Sequence, residues 1–249
     1  MKSVLSALVF GAAAVGAGSA ALAAEPAKNV VLVHGAFADE TSWDKVAQIL
    51  SAKGYHVTQV ANPLTSLADD VAATRAALDA QDGPTVLVGH SWGGVVIGEA
   101  GADPKVKALV YVSAFAPDQG ETLTKLLAGG EPSEGVKAIR PNAEGGLILD
   151  PLQFPKLFAG DVPVAEAEAM AAQQLPSNPA NFEAVAEVAA WHDKPNFYVV
   201  TTEDLMLPAD AQRFFAGRLK AEATEIVASH SGLISKAEDV AKVIEAAAQ

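Results

Sequence analysis

The chain has 249 residues, half of them hydrophobic, with a formal net charge of −13, five histidines and no cysteine. A chain of this size can bury a full core without disulfide staples. Its acidic balance repels phosphate backbones and no Lys/Arg cluster offsets it, so nucleic acid is excluded as an expected partner. The histidines show no His-x-x-x-His spacing, and there is no Gly-x-x-x-x-Gly-Lys or Gly-x-Gly-x-x-Gly loop. No metal and no cofactor is therefore expected, and the chemistry falls to side chains.

Residues 1–24 read as a signal peptide. Lys2 supplies a positive start, Val4 to Val15 an uncharged apolar run, and Ala21-Leu22-Ala23 a small-x-small cleavage site. An uncleaved anchor helix is the alternative, but the run is rich in Ala and Gly and lacks a basic stop-transfer flank. The expectation is an exported protein, periplasmic or secreted, with no stable membrane anchor after cleavage and one folded domain over 25–249.

The first strand is expected at Asn29-Val30-Val31-Leu32-Val33, an apolar β-branched run of the kind buried on both faces of a parallel sheet. It ends at His34-Gly35-Ala36-Phe37. A helix follows from about Ser42, read as its N-cap, through Trp43, Val46, Ile49 and Leu50, and Lys53-Gly54 closes it. Tyr55 to Val60 reads as the second strand. Asn62-Pro63 turns the chain, Leu64 to Ala80 forms a second amphipathic helix, and Asp82-Gly83-Pro84 stops it.

Thr85-Val86-Leu87-Val88 then leads into Gly89-His90-Ser91-Trp92-Gly93-Gly94 and a helix-compatible Val95 to Ala100. This is the pattern of a nucleophile elbow, in which a strand feeds a helix through a turn so tight that the serine hydroxyl projects into the open. Gly89 and Gly93 suit such a turn because a Cβ at either place would collide with the opposing backbone.

Ala108 to Val112 supplies the fourth strand. The alternation of strand and helix to this point, with right-handed crossovers, builds a parallel sheet covered by helices on both sides. From Ala116 to about Asn196 the alternation fails. That stretch is dense in proline and glycine and carries only short helical segments, such as Val164 to Gln174 and Asn181 to Ala190. It reads as an inserted cap, about 116–196, without a strand of the sheet. The sheet resumes at Phe197 to Thr201. Beyond it lie the loop Glu203 to Pro208, a helix from about Asp210 to Leu219, a last strand Thr224 to Val227, the loop Ser229-His230-Ser231 and a C-terminal helix from about Lys236.

A serine hydroxyl is a weak nucleophile near neutral pH and needs a base within hydrogen-bond reach, itself oriented by an acid. His230 is the candidate base, because it follows a strand end on the same carboxyl edge of the sheet as Ser91. His34 beside the first loop, His90 in the elbow with its ring turned away, and His56 at a strand start take structural roles. His192, next to Trp191, could touch substrate. The acid is Glu203 or Asp204, with Asp118 reachable from the preceding strand. The backbone N–H of Trp92, at a helix N-terminus, is one donor for a developing oxyanion. A second comes from the loop His34 to Phe37.

With Ser91, an acid and His230 in that chain order, the His34-Gly35-Ala36 loop, Ser42-Trp43, and Ala114-Phe115-Ala116-Pro117-Asp118, the chain resembles the α/β-hydrolase family along its length after the leader. It is similar to the branch containing plant methylesterases, hydroxynitrile lyases and bacterial pyrethroid-type esterases. The resemblance implies an α/β-hydrolase fold, a mostly parallel six-stranded sheet flanked by helices with a helical cap after the fourth strand. Family members commonly begin with two further strands. Here few residues separate the leader from the first strand, so the sheet is expected to be shortened.

The resemblance also favours Asp204 over Glu203, since the family places an aspartate four residues before a proline in this loop, as Asp204 stands before Pro208. It selects Ala36 as the second oxyanion donor with Trp92, Phe37 being the alternative. The implied activity is hydrolysis of an apolar carboxylic ester by a Ser91, Asp204 and His230 triad through an acyl-enzyme, with no cofactor and a small-molecule ester as partner. Phe37, Phe158 and Trp191 are candidate substrate contacts, with Trp92, Phe154, Met170 and Leu175 further candidates for the lining. Amides, thioesters and lactones use the same parts. A hydroxynitrile lyase is the alternative, but such lyases carry threonine where Gly35 stands and lysine where Ser231 stands. A non-catalytic ligand-binding member of the fold is the other alternative, and an intact serine, acid and histidine argue against it.

Overall fold

The computed structural model describes residues 25–249, so the leader read in residues 1–24 lies outside the described residues. Six strands form one parallel sheet in the order β2-β1-β3-β4-β7-β8, the last two being β7 (Asn196–Thr201) and β8 (Glu222–Ile226). The first four are β1 (Asn29–Val33), β2 (His56–Val60), β3 (Thr85–His90) and β4 (Val106–Val112). Helices α1 (Asp44–Ala52), α2 (Leu67–Asp79) and α3 (Gly93–Ala100) alternate with them. The central strands β1 and β3 are buried along their whole length, which is why their sequences are continuous apolar runs. Each fully buried Val or Leu there contributes about 1.5–3 kcal/mol of transfer free energy.

The side chains of β1 divide by alternation. Val30 and Leu32 join a core with α1, and Val31 and Val33 join a larger core with α2 and α3 on the other face. The edge strand β2 is largely exposed or half-buried. β1 pairs with β2 on one side and β3 on the other, so the chain reverses its direction of winding there. Val33 stands opposite Gly89 in that pairing. The loop after β1 and the turn after β3 therefore leave the sheet side by side, at the switch point where open α/β sheets place their sites.

Two helix starts differ from the sequence expectation. Ser42 does not cap α1. Asp39 accepts the Thr41 amide at 3.0 Å, Ser42 gives its hydroxyl to the Asp39 carbonyl at 2.7 Å, and a 3-10 turn over Glu40–Trp43 precedes α1. The aspartate wins because its carboxylate is the stronger acceptor for an amide at a helix start. α2 begins at Leu67, not Leu64. Ser66 is its cap, accepting from the Asp69 amide at 3.0 Å, and Leu64 sits at φ 60° in a left-handed conformation that no helix accommodates.

The insertion between β4 and β7 (Asn196–Thr201) contains α4 (Leu123–Leu127), α5 (Glu134–Lys137), strands β5 (Ile139–Pro141) and β6 (Leu147–Leu149), α6 (Phe154–Leu157) and α7 (Val164–Ala172). It adds no strand to the main sheet, but β5 and β6 pair antiparallel with each other, a hairpin not expected from the sequence. The helical stretch expected over Asn181 to Ala190 is absent. A 3-10 turn at Pro179–Glu183 gives way to extended chain, whose Val188 amide is held at 3.0 Å by the buried carboxylate of Glu99 on α3. Phe154, Leu157 and Phe158 of the cap share the larger core with α3, so the cap is packed onto the sheet. After β7 come α8 (Ala209–Arg218), β8 (Glu222–Ile226), α9 (Gly232–Ser235) and α10 (Ala237–Ala247), whose Val240 and Ile244 complete the smaller core beside α1. No helix among the described residues is long and apolar enough to cross a membrane.

Candidate active site

Ser91 occupies the turn between β3 and α3 at φ 51°. A left-handed residue other than glycine costs about 1–2 kcal/mol and persists only where its surroundings hold it. Here its amide donates to the Val112 carbonyl at 3.2 Å, and its own carbonyl accepts from Gly94 at 3.0 Å and Phe115 at 3.2 Å. Both expected close approaches are present. A Cβ on Gly89 would stand 2.5 Å from the Gly93 carbonyl oxygen, and one on Gly93 would stand 2.6 Å from that of Val33.

His230 follows β8 and is buried, and its Nδ1 lies 2.7 Å from Asp204 Oδ2. A carboxylate can only accept, so Nδ1 carries the proton, and in the neutral ring the lone pair is on Nε2. Asp204 is itself held on both oxygens. Oδ1 accepts the Met206 and Leu207 amides at 2.7 and 2.8 Å, and Oδ2 also accepts Gln212 Nε2 at 2.9 Å and Thr201 Oγ1 at 3.1 Å. Gln212 is fixed in turn, its Oε1 accepting the Thr201 amide at 2.9 Å. The carboxylate is thus surrounded by donors, and its orientation leaves one edge for the imidazole.

The competing acids are elsewhere. Glu203 is exposed, and Asp118 Oδ1 meets His192 Nε2 at 3.0 Å near the surface. His56 starts β2 with Nδ1 at 3.2 Å from Asn29 Oδ1. His34 is buried beside the loop after β1, with Nδ1 donating to the Gly35 carbonyl at 2.9 Å, and burial holds its pKa below the ordinary value.

His90 departs from expectation. Its ring does not turn away but lies 4.6 Å from that of His230, and its Nε2–H donates to the His230 carbonyl at 2.9 Å. Complete burial, then the neighbouring His230, drive its pKa well below the ordinary value, so it is neutral. Gln212, Thr201 and His90 were not legible as site residues, because a glutamine on a helix or a histidine in a strand carries no local signal of what it will meet.

Ser91 and His230 line one cavity with Ala36, Phe37 and Trp92. Its remaining walls are apolar apart from Ser177 and come mostly from the cap, among them Leu123, Val136, Ile139, Phe158 and Phe182. Phe37 and Phe158 are therefore at the cavity. Trp191 is not: its indole N–H donates to the Pro117 carbonyl at 2.9 Å and its ring stacks on His192, which makes it a buried post at the base of the cap. Phe154 and Met170 line a separate, more open cleft on the far side of Phe37, and Leu175 packs on the larger core. A large aromatic in a cap sequence reads alike whether it faces a cavity or fills the core. Among the described residues the amides of Ala36, Phe37 and Trp92 donate to no protein acceptor, and Phe37 is held at φ 65°. Among the described residues no three His, Asp or Glu side chains converge as metal ligands.

Comparison with known proteins gives a consistent result. A pyrethroid hydrolase from Sphingobium wenxiniae is 28% identical over 249 residues, covering 87% of this chain and 86% of that one. A carbendazim hydrolyzing esterase from a Nocardioides species is 31% identical over 121 residues, covering 43% of this chain and 50% of that one. Among solved structures, a pyrethroid hydrolase from Sphingobium faniae superposes with a TM-score of 0.75 at 25% identity, covering 89% of this chain and 97% of that one. An extracellular alpha/beta-hydrolase from a Paenibacillus species does so with a TM-score of 0.74 at 23% identity, covering 89% and 99%. The alpha/beta hydrolase family model matches residues 30–243. With that match across the sheet, the elbow and the cap, the chain belongs to the alpha/beta hydrolase family.

Proposed function

We propose that this protein is a serine esterase that hydrolyses small apolar carboxylic esters through an acyl-enzyme. The observation that carries the reading is the 2.7 Å contact of His230 with the buried Asp204, with Ser91 on the same apolar cavity as His230. In this reading His230 Nε2 takes the Ser91 proton as the hydroxyl oxygen attacks the ester carbonyl. The tetrahedral oxyanion is stabilised by the Ala36 and Trp92 amides, which have no competing acceptor among the described residues. The imidazolium, steadied by Asp204, returns the proton to the leaving alcohol as the C–O bond breaks. Water, deprotonated by His230, then attacks the acyl-enzyme and releases the acid. An aliphatic and aromatic wall from the cap favours an apolar acyl or alcohol group over a charged one. The pyrethroid hydrolase and the carbendazim hydrolyzing esterase among the relatives support ester-like substrates of that character.

The lyase alternative is disfavoured by packing. A Cβ on Gly35 would stand 2.8 Å from the Ser91 Cβ, so threonine requires the loop to move. Ser231 is wholly buried and donates to the Phe158 carbonyl at 3.0 Å, where a lysine would bury a charge without a partner. The leader in residues 1–24 supports export to the periplasm or medium, which fractionation of the producing cell tests.

The decisive experiment is covalent labelling with a fluorophosphonate together with turnover of p-nitrophenyl esters of increasing acyl length. Labelling and turnover that both vanish in Ser91→Ala are expected. A purified protein that neither labels nor turns over any ester of the series overturns the reading.

A further inference from the structure

Asp70 lies on α2, has no exposed surface, and takes no part in the triad. Its two carboxyl oxygens accept from two different parts of the molecule: Oδ2 from the Trp92 indole N–H at 2.7 Å and Oδ1 from the Leu64 backbone amide at 2.8 Å. Burial raises its pKa, and the indole and amide bonds act against that rise. An isolated carboxyl so placed is strongly disfavoured, and the two bonds are the largest of the compensating interactions, ahead of the nearby His34 and Asn62.

Each donor leads to a different functional element. Trp92 is the residue after Ser91 and lines the same cavity as the nucleophile. Leu64 is the left-handed residue before α2, and its carbonyl accepts from the Asn178 amide and from Asn181 Nδ2, both at 2.9 Å. Those asparagines belong to the cap. Asn181 Nδ2 also donates to Ser177 Oγ at 3.2 Å, and Ser177 lines the cavity and pairs with Leu147 of β6 through both backbone bonds. A continuous set of hydrogen bonds thus runs from the residue after the nucleophile, through one carboxyl group, to the hairpin of the cap.

We infer that Asp70 is a positioning residue for the proposed reaction: by holding the Trp92 indole and the Leu64 amide together, it aligns the Trp92 amide with the oxyanion and seats the cap against it. This rests on the esterase reading above. The carboxylate is suited to the task because it offers two acceptors to two donors. An asparagine of the same shape presents an NH2 group to one of them and breaks one half of the link.

The test is a double-mutant cycle of Asp70→Asn and Trp92→Phe in the full chain, with p-nitrophenyl butyrate kinetics and chemical denaturation. If Asp70 acts through the indole, each single variant lowers kcat by at least about tenfold while KM stays within about threefold, and the double variant is no slower than the slower single one. Losses that multiply, or a D70N protein that is destabilised yet keeps its kcat when folded, overturn the proposal. If D70N does not fold, W92F decides alone: kcat within about twofold of the parent overturns the proposal, and a tenfold loss at constant KM supports it.

Failure of the esterase reading would show differently, as a parent protein with no turnover. The link itself is then read from nitrogen-15 spectra. Asp70→Asn, or W92F where D70N does not fold, is expected to shift both the Trp92 backbone amide and the Asn181 side-chain signals. Signals that stay in place on both sides of the link refute it.

Discussion

The His90 Nε2–H donates to the backbone carbonyl of His230 at 2.9 Å, from a ring 4.6 Å away from the imidazole it supports. Asp204 orients the His230 side chain, whereas His90 fixes the peptide that carries it. Two separate constraints therefore act on one residue. Because the carbonyl has no other partner among the described residues, deleting the donor leaves a buried acceptor unpaired. His90→Phe is expected to lower stability by about 1–3 kcal/mol. It should also lower kcat by about tenfold through misplacement of the base. His90→Gln, which restores an N–H donor, should recover most of the activity. Denaturation curves and steady-state kinetics on the two variants check both numbers, and equal activity in the pair would show that the bond does not position the base.

Acid should destabilise the fold as the imidazoles of the unfolded chain take up protons, an effect the raised pKa of Asp70 opposes only at lower pH, nearer the carboxylate range. Burial holds both His34 and His90 below the ordinary imidazole value, His90 well below it. For a base with a depressed native pKa the unfolded state binds more protons, so the stabilisation is fully present above the unfolded value of about 6.5 and is lost as pH falls below it. Each imidazole kept neutral in the native state contributes a slope of at most about 1.4 kcal/mol per pH unit in that range. Chemical denaturation between pH 8 and 5 should show a decline beginning near 6.5. A flat profile to pH 5 would contradict the burial of neutral rings.

The two adjacent acids can be separated by substitution. Asp204→Asn leaves the amides of Met206 and Leu207 an acceptor but turns an NH2 group toward His230, which favours the wrong tautomer. A loss of about 10⁴ in kcat is expected. Glu203 is exposed, and Glu203→Gln should stay within about twofold of the parent. Reversal of that order, measured on any ester of the series, would reassign the acid.

Glycines in and after the elbow should respond in opposite directions. Gly89→Ala places a Cβ 2.5 Å from the Gly93 carbonyl oxygen, a backbone atom that cannot step aside, and should abolish soluble expression. Gly98 lies within α3, and a methyl group added there would meet nothing within 4 Å. Gly98→Ala should raise stability by about 0.8–1 kcal/mol from helix propensity alone. For a domain of this size that corresponds to roughly 2–4 °C in Tm, within reach of a thermal melt.

Much of the architecture was legible because buried parallel strands demand consecutive apolar residues. Asn29–Val33 and Thr85–His90 carry that demand in their sequences, and the elbow glycines around Ser91 carry the demand of a close backbone approach. The cap boundary was legible for the converse reason, as a long stretch in which the alternation of strand and helix lapses. Less was legible inside it. The β5 and β6 strands are three residues each, too short for a period to declare itself, and the Asn181 to Ala190 segment follows hydrogen bonds offered by Glu99 in place of its own helix propensity.

The sequence by itself determined which residues are buried in the central strands and the order in which serine, acid and histidine leave the sheet. Tertiary structure alone decided which buried groups meet. It brings Asp204 and not Glu203 to His230, through Gln212 and two loop amides; it turns the His90 ring onto a residue 140 positions away; and it puts Trp191 under the cap and not at the cavity. The reason is physical. Hydrophobic periodicity depends on neighbours along the chain, whereas the partner of a buried polar group depends on rotamer and loop geometry among residues that only folding makes neighbours.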